Sequence, residues 1–149
     1  MNEHVKFLRL CIQLAAQAKA MGNHPFGSLL VHDGEILLQA QNGVVTYNDL
    51  GHHPESILAR SAAGLYDADF LADCTLYTST EPCAMCSGAI YWSGIGRVVF
   101  ACSVETMASF TENSLRLSCR DVFARGTREI VVVGPLIEDE ARQVHEGFW

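Results

Sequence analysis

Four residues in this chain have the types and spacing to hold a metal ion and move a proton beside it: His53, Glu55, Cys83 and Cys86. Cys83 and Cys86 stand in "PCAMC", where a strand pattern gives way to a helical one, so both sulfurs fall on one side of a first helical turn. The partial positive charge of a helix N-terminus lowers thiol pKa values, and the thiolate is the form that binds metal. A Cys-x-x-Cys pair at such a junction also suits a redox dithiol. His53, at the entrance of another helix, tips the reading toward a metal. One neutral imidazole and two thiolates cancel the charge of Zn²⁺ and leave the fourth tetrahedral position open, as catalytic zinc sites do. Water in that position has its pKa lowered to about 7. Glu55, on the same helical turn as His53, is then placed to move a proton between that water and a reacting molecule. In a structural site the zinc is instead closed by a fourth protein ligand such as His52, Cys74 or Cys102, and Glu55 has no task. His52 itself is out of register with Glu55 and reads as a neighbour of the site or a surface residue.

The elements that position these residues follow from apolar periodicity. "MNEHVKFLRLCIQLAAQAKAMG" carries Val5, Leu8, Ile12, Ala15 and Ala16 among charges and glutamines, the pattern of an amphipathic helix. "FGSLLVHDGEILLQAQN" reads as two strands joined at Asp33-Gly34, a strong two-residue hairpin signal. "PESILARSAAGLY" has helical spacing, with Pro54 where a first turn tolerates it. Strands are expected at "CTLYTS", "RVVFAC" and "EIVVVG", and helices at "CAMCSGAIYW" and "IEDEARQVHEGFW". Strands separated by helices need crossovers, so the later part of the sheet should be parallel. Between Ser103 and Arg128 the pattern is weakest. Leu115, Cys119, Val122 and Phe123 suggest one helix ended by Gly126.

The whole chain bounds what such a site could act on. Its 149 residues suit a single domain, 1–149, of ordinary globular composition. Ten basic against seventeen acidic residues give a net charge of −7, a field that repels phosphate backbones. A small molecule is therefore expected as the partner, and nucleic acid is not. Arg116, Arg120, Arg125 and Arg128 form the one candidate basic strip, more simply read as a solvated helix face. No signal-peptide core or membrane-spanning apolar run is present, and a cytoplasmic location is expected. Of six cysteines, Cys11, Cys74, Cys102 and Cys119 lie in apolar patterns and read as small core residues.

"HPE" followed by "PCAMC" matches the H-x-E and P-C-x-x-C pattern of zinc deaminases. On these residues the chain resembles the cytidine deaminase-like superfamily, in the branch of guanine deaminases, fungal cytosine deaminase and tRNA adenosine deaminases. The likeness covers most of the sequence. "HPFGSLLVHDGEILLQAQN" resembles that family's P-F-G strand, hairpin and terminal asparagine, and "LYTSTEPCAMCSGAIYWSGIGRVVFA" is similar to the zinc-helix segment of guanine deaminase-like proteins. The resemblance implies an α/β fold of three layers, α/β/α, with a mixed five-stranded sheet and helices on both faces. It implies a Zn²⁺-dependent hydrolytic deaminase of a nucleobase, nucleoside or related amino-heterocycle, guanine- or cytosine-like, working as a homodimer and releasing ammonia. An adenosine in tRNA is the alternative substrate.

By the same resemblance Asn42 bonds the substrate ring or its sugar, Phe26 packs at the floor of the site, and Phe148 and Trp149 close it. The plainer readings are that Asn42 ends a strand, Phe26 is core and the terminal aromatics anchor the last helix. One departure stands at the centre of the motif. Family members commonly have a small residue between the ligand histidine and the glutamate, whose backbone N–H donates to the bound base. Pro54 has no N–H to give. The fold loses nothing at a first helical position, but substrate recognition loses a donor.

Overall fold

The computed structural model describes residues 2–149. Helix α1 (Asn2–Ala20) leads into strands β1 (Gly27–His32) and β2 (Glu35–Gln41), then α2 (Val44–Tyr47), α3 (Pro54–Leu65) and α4 (Ala68–Ala72). Strand β3 (Thr75–Thr80), α5 (Ala84–Ser93), β4 (Arg97–Cys102), α6 (Val104–Ala108), α7 (Cys119–Ala124), β5 (Val131–Val133) and α8 (Glu138–Ala141) complete the order, with a 3₁₀ turn at Arg142–His145.

The five strands form one sheet in the order β2-β1-β3-β4-β5. β1 runs antiparallel to both β2 and β3, whereas β3, β4 and β5 are parallel, as their helical crossovers require. The Asp33-Gly34 hairpin forms with both residues at positive φ, 52° and 78°, as a tight primed turn demands.

Strand alternation divides the core into two faces. Leu29, Val31, Tyr77, Val99 and Ala101 pack under α1 with Phe7, Leu8, Cys11 and Leu14. Leu30, Leu76, Val98 and Phe100 face the other way, onto Leu58, Ala59, Ala62, Ile90 and Phe123 from α3, α5 and α7. The result is the expected three-layer α/β/α arrangement. All four cysteines read as core are fully buried. Gly27 lets α1 lie against the sheet: a Cβ there would sit 2.5 Å from the carbonyl oxygen of Cys11.

Several details differ from the sequence reading. The buried stripe of α1 is Phe7, Leu8, Cys11, Leu14, Ala15 and Ala18, while Ala16 is exposed and Val5 and Ile12 are half-buried. The stripe is rotated toward the sheet because Phe7 and Cys11 pack on β-strand side chains. The expected last helix ends after one turn and tightens into the 3₁₀ turn, which carries His145 inward to Thr80. The single helix expected between Ser103 and Gly126 is two short ones. Ser103 and Ser118 cap them, each Oγ accepting from the N–H three residues on. Leu115 belongs to neither and is 64% exposed.

Candidate active site

α3 and α5 bring their N-termini together on one side of the sheet, and the two N-cap residues are His53 and Cys83. His53 Nδ1 lies 3.7 Å from Cys83 Sγ and 3.5 Å from Cys86 Sγ. A tetrahedral zinc with bonds of about 2.3 Å to sulfur and about 2.0–2.1 Å to nitrogen separates those ligands by about 3.6 Å. Both nitrogen–sulfur separations therefore match the ion, and all three ligand atoms lie within 4.8 Å of one another. Among the described residues no fourth histidine, cysteine or carboxylate joins it. Cys74 and Cys102 are core residues, and His52 stacks its ring on Tyr47, with 4.4 Å between centroids. None of the three candidates for a closing ligand is in place.

The thiols are poised for ligation. A hydrogen bond from Cys86, with help from His53, pulls Cys83 down to about 4. Cys86 is pushed up because it supplies that proton and is buried, and Ser56 Oγ donates to its sulfur at 3.1 Å. The pair shares one proton, which metal binding would release. His53 is raised, chiefly by its bond to Cys83.

Glu55 sits in the first turn of α3, 5% exposed. Its Oε1 accepts from Thr78 Oγ1 at 2.7 Å and Ser28 Oγ at 2.9 Å, two hydroxyls on neighbouring strands. No described residue bonds Oε2, so one oxygen is anchored while the other is left for chemistry. Burial raises the carboxyl above its usual range, partly offset by the hydrogen bonds from Thr78 and Ser28.

These groups open into a cavity of about 310 Å³, lined by His53, Glu55 and Cys83 and also by Phe26, Pro54 and Trp149. Phe148 lies behind this wall, edge-on to His24 and Trp149. Asn42 is buried beside it without being part of the lining. Its Oδ1 accepts from Val44 N–H, and its Nδ2 has no partner. A larger open hollow of about 470 Å³ lies by Arg120 and Arg128. Its guanidinium groups are already committed: Arg120 donates to the carbonyls of Val132 and Gly134, and Arg128 to those of Ile90, Tyr91 and Ile95. It holds no candidate metal-ligating cluster among the described residues, so the smaller cavity is the candidate site.

Sequence reasoning missed several parts of this cavity. His24, Thr80, Glu81, Met107, Thr111 and Ser114 line it, and Ser28 and Thr78 hold Glu55 from below. Alternation places Ser28 and Thr78 on one face of their strands, but nothing in their types marks them as carboxylate partners. Glu81, next to "PCAMC" and preceded by Thr78, Ser79 and Thr80, carries nothing in its type or spacing that marks its role.

Residues 1–102 match the family described as the cytidine and deoxycytidylate deaminase zinc-binding region. The chain is 42% identical over 155 residues to a probable cytosine deaminase of Schizosaccharomyces pombe, covering 99% of this chain and 93% of that protein. It is 43% identical over 99 residues to a guanine deaminase of Bacillus subtilis, covering 66% of this chain and 64% of that one. Among solved structures, guanine deaminase from Nitrosomonas europaea superposes with a TM-score of 0.77 at 27% identity, covering 93% and 80%.

Proposed function

The chain belongs to the cytidine and deoxycytidylate deaminase family and is a zinc-dependent hydrolytic deaminase; from that premise we propose which residues perform the reaction and on what. The observation that carries the proposal is the ligand triangle of His53, Cys83 and Cys86, of which His53 and Cys83 line one cavity together with Glu55 while Cys86 lies buried behind them. Those three residues hold Zn²⁺, and the whole of 1–149 acts as one deaminase domain. When bound, the ion supplies Lewis acidity that makes water nucleophilic near neutral pH.

The chain's own residues do the rest. Glu55 Oε2 takes a proton from the attacking water and delivers it to the ring nitrogen, then assists proton transfer to the departing amine. An exocyclic amino group is thereby replaced by the oxygen of water, and ammonia leaves. Thr78 and Ser28 keep the carboxylate at a fixed angle through Oε1. Phe26 and Trp149 provide apolar walls for a flat ring, backed by Phe148, and Pro54 presents a surface without a donor. Asn42 Nδ2, buried without a partner, donates to an acceptor on the substrate. An unmet buried donor costs about 1–3 kcal/mol, which binding would recover.

The substrate is a guanine- or cytosine-like base, its nucleoside or a related amino-heterocycle. The relatives named cytosine and guanine deaminase support this class. The charge of −7 and the commitment of Arg120 and Arg128 to backbone carbonyls support a small molecule over a nucleic acid. No described helix is long and apolar enough to cross a membrane, and the reading places the protein in the cytoplasm. Exposed Met85 and Trp92 on α5, the latter 84% exposed, support a homodimer built on this layer. Ammonia release from zinc-loaded protein, measured over cytosine, guanine, their nucleosides and triazine or pterin analogues, tests the assignment. Turnover of one or more is expected, and release from none would reject it.

A further inference from the structure

Glu81 is buried, 6% exposed, and lies two residues before the first sulfur ligand. Both of its oxygens are spent on main-chain donors distant in sequence. Oε1 accepts from the N–H of Val104 at 2.9 Å, and Oε2 accepts from the N–H of Cys119 at 2.9 Å. Val104 and Cys119 are the first residues of α6 and α7. First-turn N–H groups have no partner within a helix. Here the capping serines serve the third residue of each helix, and one carboxylate serves the first residue of both. Glu138 Oε2 adds a bond to the N–H of Ser103, at the near end only.

The chain between these two points, residues 105–118, forms a wall of the cavity. Met107, Thr111, Asn113, Ser114 and Leu115 all line it. Much of this strap is exposed and outside regular structure, so its ends must be fixed for it to present a defined surface. Glu81 N–H also donates to the carbonyl of Cys102 at 2.7 Å, which fixes the clasp to the end of β4.

We propose that Glu81 is a positioning residue for substrate recognition: its carboxylate clasps both ends of the 105–118 strap and sets that wall at a fixed distance from the ligand-bearing loop. This deepens the deaminase reading and rests on it for its kinetic consequence, whereas the clasp itself can be read without any substrate. Two acceptors on one side chain are required. Glutamine retains one acceptor oxygen and turns a donor toward the second N–H, so it can hold only one end.

The test begins with the wild-type, zinc-loaded protein. Amide hydrogen exchange should show the Val104 and Cys119 N–H groups protected and exchanging at similar rates, whereas unclasped first-turn amides would exchange freely. Glu81→Gln should retain zinc, because all three ligands remain, and should be nicked by trypsin after Arg116 roughly ten- to a hundredfold faster, the effect of losing one hydrogen bond to a charged group. Cys119→Pro removes the Oε2 partner at a position that accepts proline, and should reproduce this nicking. The double variant should then be little worse than either single one. With the best substrate from the panel, Glu81→Gln should raise KM about tenfold or more and change kcat by less than about threefold.

Free exchange of both amides in the wild-type protein would overturn the clasp even if the variants fail to fold. Wild-type nicking and KM in a folded Glu81→Gln would also overturn it, as would kcat falling in step with zinc content at unchanged KM. If no substrate is found, exchange and proteolysis still decide on the clasp, and only the deaminase reading fails.

Discussion

Replacing Glu55 by glutamine separates the proton shuttle from the rest of the site. Glutamine retains an oxygen to accept from Thr78 and Ser28, whose hydroxyls lie 2.7 and 2.9 Å from Oε1. It changes only the position of Oε2, which no described residue bonds. The metal triangle does not include Glu55, so zinc content should stay at one per chain. Stability should not fall, because burial already raises this carboxyl's pKa and its charged form is held at a cost near neutral pH. Catalysis should collapse, since an amide cannot take up and return a proton. General acid–base catalysis is worth about 10²–10⁴-fold, or roughly 2.7–5.4 kcal/mol at about 1.36 kcal/mol per decade. The assay is ammonia release at saturating substrate, run beside metal analysis and a thermal melt on the same sample. A variant with full zinc and more than about a tenth of wild-type turnover would refute the role of Glu55.

Two further predictions concern Pro54 in the cavity wall and His145, which is buried behind Thr80 and Trp149. Pro54→Ala restores an N–H at the first residue of α3 without adding bulk, and should shift kcat/KM toward carbonyl-bearing bases relative to the native substrate by about three- to tenfold, the worth of one neutral hydrogen bond. An unchanged ranking across the panel would make the proline's role one of stiffness alone. His145 is pushed down to about 4, chiefly by burial and further by Lys19, and an unfolded histidine titrates near 6.5. Because the unfolded chain takes the proton first, stability present above pH 6.5 should drain as pH falls toward 4, by up to about 3 kcal/mol. His145→Gln should flatten that part of a plot of melting temperature against pH, and an unaltered slope would exclude His145 as its source.

The candidate ligand set was legible in the sequence because His53, Cys83 and Cys86 announce themselves by type and spacing, and because strand-to-helix junctions fix where such residues point. The hairpin at Asp33-Gly34 and the parallel half of the sheet were legible because turn chemistry and crossovers leave few alternatives. The wall formed by residues 105–118 was not. Leu115 matches the period of Cys119 and Val122 by coincidence, and α6 and α7 are too short to show an apolar stripe of their own. Glu81 was hidden for a different reason. Its partners are main-chain N–H groups 23 and 38 residues away, and a backbone donor has no residue type to recognise. The same holds for His145, whose inward turn toward Thr80 breaks the helical pattern of the last segment. Asn42, Phe26, Phe148 and Trp149 were reached through family resemblance, and the geometry separates them: Phe26 and Trp149 line the cavity, Phe148 backs it, and Asn42 offers a buried donor beside it.

Deamination should require one zinc ion per chain, held by His53, Cys83 and Cys86. The most direct test is to strip the metal with a chelator, add Zn²⁺ back in steps and follow ammonia release from the best substrate. No release is expected from the stripped protein, then a linear rise and a break at one equivalent per chain, with Cys86→Ala giving no recovery. Activity that survives stripping, or that returns in Cys86→Ala as fully as in the wild type, would contradict that requirement.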